Sequence, residues 1–292
     1  MMAARNAARA EPFFLDADIG QRFCLFHPPA GQCRGALLYV HPFAEEMNRA
    51  RRMAAVQSRE LAALGFGVLQ LDLYGCGDSS GDFGDARWDI WKRDLAAASA
   101  WLMQRLGQPV ILWGLRLGAL LALDYARTAQ HDIARLILWQ PVPSGAAHMT
   151  QFLRLRMASD MLAEHDIGQG ETRVETEGDN PGGTRAMRAA LQAGAVLEVA
   201  GYDLAPALVA AIDGLDAADM VPPACAVHWF EALADAARPV PPGANRVTSS
   251  WQRQGVDLQV HRVACPPFWM TPAMAECSAL LAATSALFRV QR

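Results

Sequence analysis

The chain has 292 residues, room for one large α/β domain or two small ones, and 52% of them are hydrophobic, which is enough to bury a sizeable core. A net charge of -4, with only 19% of residues charged, gives no electrostatic reason to expect nucleic acid or an anionic membrane surface as partner. No apolar run is long enough to span a bilayer, and the N-terminal MMAARNAARAEP lacks the apolar segment of a secretory signal.

Residues 1–11 read as a frayed tail, followed by a hairpin over 13–26 that turns at 18–20. The wholly apolar GALLYV, 35–40, is a buried strand ending in His41-Pro42-Phe43-Ala44-Glu45-Glu46. The pattern predicts a helix over 49–64, stopped by Gly65, then a strand over 68–73 running into Tyr74-Gly75-Cys76-Gly77-Asp78-Ser79. A long helix over 88–106 shows Trp91, Leu95, Ala98 and Leu102 on one face.

The stretch PVILWGLRLGALLALDYAR, 109–127, organises the rest. An apolar strand turns at Gly114-Leu115-Arg116-Leu117-Gly118 into a helix with Leu117, Leu120, Leu121 and Tyr125 at helical spacing. Strand, tight turn and helix with glycines at both ends form the frame of a nucleophile elbow, G-x-S-x-G, with Arg116 where the serine would stand. Another buried strand follows at 135–140. Strands alternating with helices predict a parallel sheet covered on both faces.

The pattern then changes. Residues 144–221 are more polar, with helical patches at 151–164 and 204–212 around a Gly-rich acidic centre at 168–183 that reads as a hairpin. So long a connection between core elements reads as a cap. The division is therefore core at 1–143, cap at 144–221, and core again at 222–292. In the second core part, strands are expected at 224–230 and 256–263, and a closing helix at 271–288. The six cysteines, Cys24, Cys33, Cys76, Cys225, Cys265 and Cys277, form no CxxC pair and several sit in apolar runs. They read as reduced thiols of a cytoplasmic protein, with no disulfide framework and no metal site. No cofactor is expected.

Three motifs in order carry a resemblance: GALLYV ending in His41-Pro42-Phe43, the D-x-x-G-x-G-x-S turn made by Asp72, Gly75, Gly77 and Ser79, and the elbow at Arg116. With them the chain resembles the α/β-hydrolase superfamily over most of its length. The narrower combination HPFAEEMNRARR, DLYGCGDSSGDF, WGLRLGA and PPFW resembles the type 2 hydrolases associated with the exosortase A system, in bacteria that sort PEP-CTERM proteins and make exopolysaccharide. The resemblance implies an α/β-hydrolase fold with a cap, an oxyanion loop after GALLYV, and proteins of that locus as partners.

Two of three triad positions depart from the superfamily. Arg116 replaces the nucleophile, and the loop after the last strand, Cys265-Pro266-Pro267-Phe268-Trp269, holds no histidine; His261 lies several residues early. The acid position is open between Glu231 and Asp235. Arginine has no lone pair to offer at neutral pH. It either pairs with Glu231, Glu45 or Glu46 and plugs the site, or holds an anion at a helix N-terminus. Glu45 and Glu46 can equally pair with Arg49, Arg51 or Arg52. The candidate site is thus Arg116, Glu231 and His41, with Phe43, Glu45, Leu117 and Trp269 around it, Trp269 filling the space of the missing histidine ring. Cys76 and Ser79 read as turn residues without a base. The expected partner is a small anionic molecule. The alternative is an esterase- or thioesterase-type hydrolase acting on an acyl or ester substrate, with His41 and Glu231 activating water and Arg116 stabilising the oxyanion.

Overall fold

A computed structural model describes residues 9–167, 183–271 and 276–289. The chain opens with the antiparallel hairpin β1 (Glu11–Asp16) and β2 (Gln21–His27), then β3 (Gly35–Val40), α1 (Glu45–Ala63) and β4 (Phe66–Leu71). It continues through α2 (Trp88–Leu106), β5 (Val110–Leu115), α3 (Leu117–Thr128) and β6 (Ile133–Trp139). Between β6 and the next core strand lie α4 (Gly145–Ile167), α5 (Thr184–Gln192), the short hairpin β7 (Leu197–Val199) and β8 (Tyr202–Leu204), and α6 (Pro206–Asp213). The core then resumes with β9 (Ala226–Leu233), α7 (Pro242–Arg253), β10 (Leu258–Ala264) and α8 (Ser278–Ala286).

Eight strands form one sheet in the order β1-β2-β4-β3-β5-β6-β9-β10, parallel from β4 onward. The apolar runs follow from burial on both faces. Along β5, Val110 and Leu112 enter a core with α2, α3 and α7, while Ile111, Trp113 and Leu115 enter the opposite core with α1 and α8. The chain moves outward from β3 to β4 and then returns to β5 on the other side of β3, so the strand order reverses there. A crevice opens at the carboxyl ends of strands at such a reversal, and it receives both the loop after β3 and the turn after β5.

The structure departs from the sequence reading in five places. Helix α1 begins at Glu45, so both glutamates sit in its first turn, where the helix dipole favours them. Glu231 lies inside β9 and not after it, because the strand pairs with β10 as far as Leu233. Helix α7 was not expected, although Pro242 at its first position and buried Ala244, Val247 and Trp251 give it a helical signature. The closing helix begins at Ser278 and not at 271, since Thr271, Glu276 and Cys277 are not helical; the hairpin expected at 168–183 is not a departure, because it lies outside the described residues except for Gly183, which caps α5. Finally, Cys265 and Cys277 form a disulfide, against the expectation of six reduced thiols. Twelve residues apart, they show no pairing pattern in sequence, but the loop after β10 folds back onto the start of α8 and brings their Cα atoms to 5.6 Å.

Candidate functional site

The site is built at the turn after β5. Arg116 has φ 56 and ψ -121, a strained conformation for a residue with a Cβ. Its backbone is held by Arg116 N–H to Trp139 O at 2.9 Å and by Ala119 N–H to Arg116 O at 3.0 Å. Glycine is required on the helix side, since a Cβ at Gly118 would collide with the carbonyls of Val40 and His41. The same contact fixes the elbow against the loop after β3.

The Arg116 side chain reaches Glu46. Nε donates to Glu46 Oε1 at 3.3 Å, with the two side chains 14% and 19% exposed, and the guanidinium lies 5.4 Å from the ring centre of Trp269. The Nη groups have no protein partner among the described residues. Burial pushes the Glu46 carboxyl up, and Arg116 and Arg49 oppose the shift. Glu45 faces outward: its Oε2 accepts from Tyr202 Oη at 3.2 Å, tying the β7–β8 hairpin to α1, and its Oε1 lies 3.7 Å from Arg49 Nε.

These groups line a cavity of about 340 Å³ under α4, together with Phe43, His148, Phe152, Leu155, Trp269 and Met270. His148, from α4, is buried. Its ring meets Phe43 edge-on at 5.9 Å, and burial, then Arg116, push its pKa down to about 3, so it is neutral. Sequence reasoning missed it: it sits in α4, outside every motif, and only its apolar neighbours Met149 and Phe152 mark that turn of the helix as inward-facing.

Of the expected site residues, Arg116, Phe43, Glu45 and Trp269 come together at this cavity. His41, Glu231 and Leu117 do not line it. His41 is buried, with Nδ1 2.7 Å from Pro42 O and Nε2 accepting from Leu73 N–H at 3.3 Å. That pair of bonds fixes the Nδ1–H tautomer and uses its lone pair, and burial lowers its pKa. Leu117 points into a small hollow behind the elbow with His41, Cys76 and Trp88. Both Glu231 oxygens are committed, to Gln140 Nε2 and Trp229 Nε1 at 2.8 Å each, and burial pushes its carboxyl up. Asp235 is exposed and accepts from Ala237 N–H in its own turn. Ser79 Oγ donates to Asp72 O at 2.5 Å and accepts from Phe23 N–H, as a turn residue does.

A family model described as serine aminopeptidase, S33, matches residues 31–190, more than half of the chain. The chain belongs to the serine aminopeptidase S33 family. Within this S33 hydrolase family the matched region spans the loop after β3, the D-x-x-G-x-G-x-S turn and the elbow. No curated protein matches the chain by sequence. Among solved structures, a monoglyceride lipase from Saccharomyces cerevisiae is similar at 16% identity, with 97% of this chain and 96% of that one covered and a TM-score of 0.63. Est1E from Butyrivibrio proteoclasticus, bound to ferulic acid, is similar at 15% identity, with 94% and 96% covered and a TM-score of 0.60. Mouse alpha/beta hydrolase domain-containing protein 10 is similar at 15% identity, with 95% and 98% covered and a TM-score of 0.54. The fold of this S33 family member is therefore that of the α/β hydrolases. None of the described helices is long and apolar enough to cross a membrane.

Proposed function

We propose that this hydrolase-fold protein binds and does not cleave, its triad having lost serine and histidine, and that the cavity under the cap takes a small organic anion with an apolar body. The observation that carries the reading is Arg116 at the tip of the elbow, its Nη groups uncommitted, beside a largely apolar cavity of about 340 Å³. A guanidinium matches a carboxylate in a planar, two-bonded pairing. Phe43, Phe152, Leu155 and Met270 offer the apolar body its surface. Ferulic acid, held by the similar Est1E, has this build. The resemblance to exosortase A-associated proteins adds a setting: a protein of an exopolysaccharide and PEP-CTERM locus, with other proteins of that locus as partners. The esterase- or thioesterase-type alternative stands behind this reading, because the lone pair of His41 and both oxygens of Glu231 are already engaged.

Calorimetric titration with octanoate tests the reading. Wild type should bind it, Arg116→Met should not, and neither should turn over p-nitrophenyl butyrate. Octanoate binding that survives Arg116→Met, or stoichiometric labelling of wild type by a fluorophosphonate, would overturn it.

A further inference from the structure

Seven buried side-chain polar atoms lack a hydrogen-bond partner among the described residues, and three of them, Glu46 Oε2, His148 Nε2 and Trp269 Nε1, belong to residues lining the cavity beside Arg116. A buried polar atom without a partner is costly, so such atoms are scarce in folded proteins. Their concentration at one cavity marks a place where partners come from outside the chain. All three atoms are closed to water.

The three atoms ask for different chemistry. Trp269 Nε1 is a donor only, and Glu46 Oε2, whose sister oxygen Oε1 accepts from Arg116 Nε, offers an acceptor. Neutral His148 Nε2 can take either role. The ligand must therefore bring a donor as well as an anion. Because Arg116 and Glu46 touch at 3.3 Å, the ligand groups they take are close neighbours. Two cations, Arg116 and Arg49, and two carboxylates, Glu45 and Glu46, line the cavity, so its own charges balance and a neutral hydroxyl serves as the donor without adding a further charge.

Resting on the reading of Arg116 as an anion site, we propose that the ligand is a hydroxycarboxylic acid with an apolar tail, its hydroxyl on a carbon one or two bonds from the carboxylate carbon. Arg116 takes the carboxylate, Glu46 Oε2 accepts the hydroxyl proton, and the Trp269 N–H donates to the oxygens between them.

Octanoate and 3-hydroxyoctanoate, titrated into wild type and into Glu46→Gln and Trp269→Phe, test this. The hydroxy acid should bind wild type about tenfold more tightly than octanoate, the worth of one hydrogen bond to a charged group. Glu46→Gln should erase most of that preference while octanoate affinity holds or rises, and Trp269→Phe should weaken the hydroxy acid with melting behaviour close to wild type. Equal binding of the two acids by wild type overturns the hydroxy-acid assignment and leaves the anion site standing; this comparison needs no variant to fold. Failure of both acids to bind wild type overturns both.

Discussion

Arg116 meets Glu46 edge-on, through Nε alone, at 3.3 Å. The contact is an ion pair that leaves the far side of the guanidinium open. Glu231, also at the carboxyl end of the sheet, contributes only longer-range attraction, because Gln140 and Trp229 hold it.

Double-mutant cycles should separate the two carboxylates. Arg116→Ser with Glu46→Gln should show a coupling of about 1 kcal/mol in denaturant melts, as contacting residues do. The pair is partly exposed, so the single changes should fall short of the ~3–5 kcal/mol of a broken buried pair. Arg116→Ser with Glu231→Gln should be additive within about 0.5 kcal/mol. A large coupling to Glu231 and none to Glu46 would contradict the geometry.

Restoring the serine alone should not restore hydrolysis. In Arg116→Ser the new hydroxyl finds no histidine in the loop after β10, which carries Trp269 instead, and the one lone pair of His41 remains bonded to Leu73 N–H. Turnover of p-nitrophenyl acetate should stay at the buffer rate. A burst of p-nitrophenol from this variant would show that another group, His148 being nearest in kind, can serve as base.

Acid should unfold the protein early. Burial lowers His27 and His228 to about 4 and His148 to about 3, and also lowers His41. Their folded values lie below the unfolded value near 6.5, so the stability they contribute is complete above that pH and drains away as pH falls toward 3 to 4. Asp94, raised to about 6 by burial, and the raised Glu46 and Glu231 act in the opposite sense. The histidine share is isolated by His27→Gln, whose melts between pH 7 and pH 4.5 should lose less stability than wild type, by on the order of 2 kcal/mol at the acid end. Parallel pH profiles for the two proteins would rule the histidine out.

Thiol titration in denaturant without reductant should find four reactive cysteines, Cys24, Cys33, Cys76 and Cys225, and six after reduction. A link twelve residues long contributes about 3 kcal/mol by the chain-entropy argument, so Cys265→Ser should lower the melting point by several degrees. Six reactive thiols before reduction would remove the pairing.

Much of the core was legible because its signals are local. GALLYV could only be a strand buried on both faces, and the glycines at 114 and 118 announce an elbow because a Cβ at either meets backbone. The pairing of Arg116 was not legible: Glu45, Glu46 and Glu231 are equivalent on paper, and the choice depends on α1 starting early enough to aim Glu46 across the crevice. Glu231 was placed after its strand because nothing in the sequence says β9 pairs with β10 as far as Leu233. His148 and the Cys265–Cys277 link depend on how distant segments fold back, which no short-range pattern encodes.

The backbone at position 116 holds its unusual torsions beneath an arginine side chain. That backbone is held by the bonds to Trp139 O and from Ala119 N–H and abuts the seat of Gly118 against the carbonyls of Val40 and His41, contacts that do not involve the side chain at 116. The turn therefore behaves as a socket: the scaffold presents whatever residue is mounted there to the same point above the sheet. In such a scaffold the residue at the tip can be exchanged without loosening the frame, so the same point above the sheet can serve to hold a ligand as readily as to attack one.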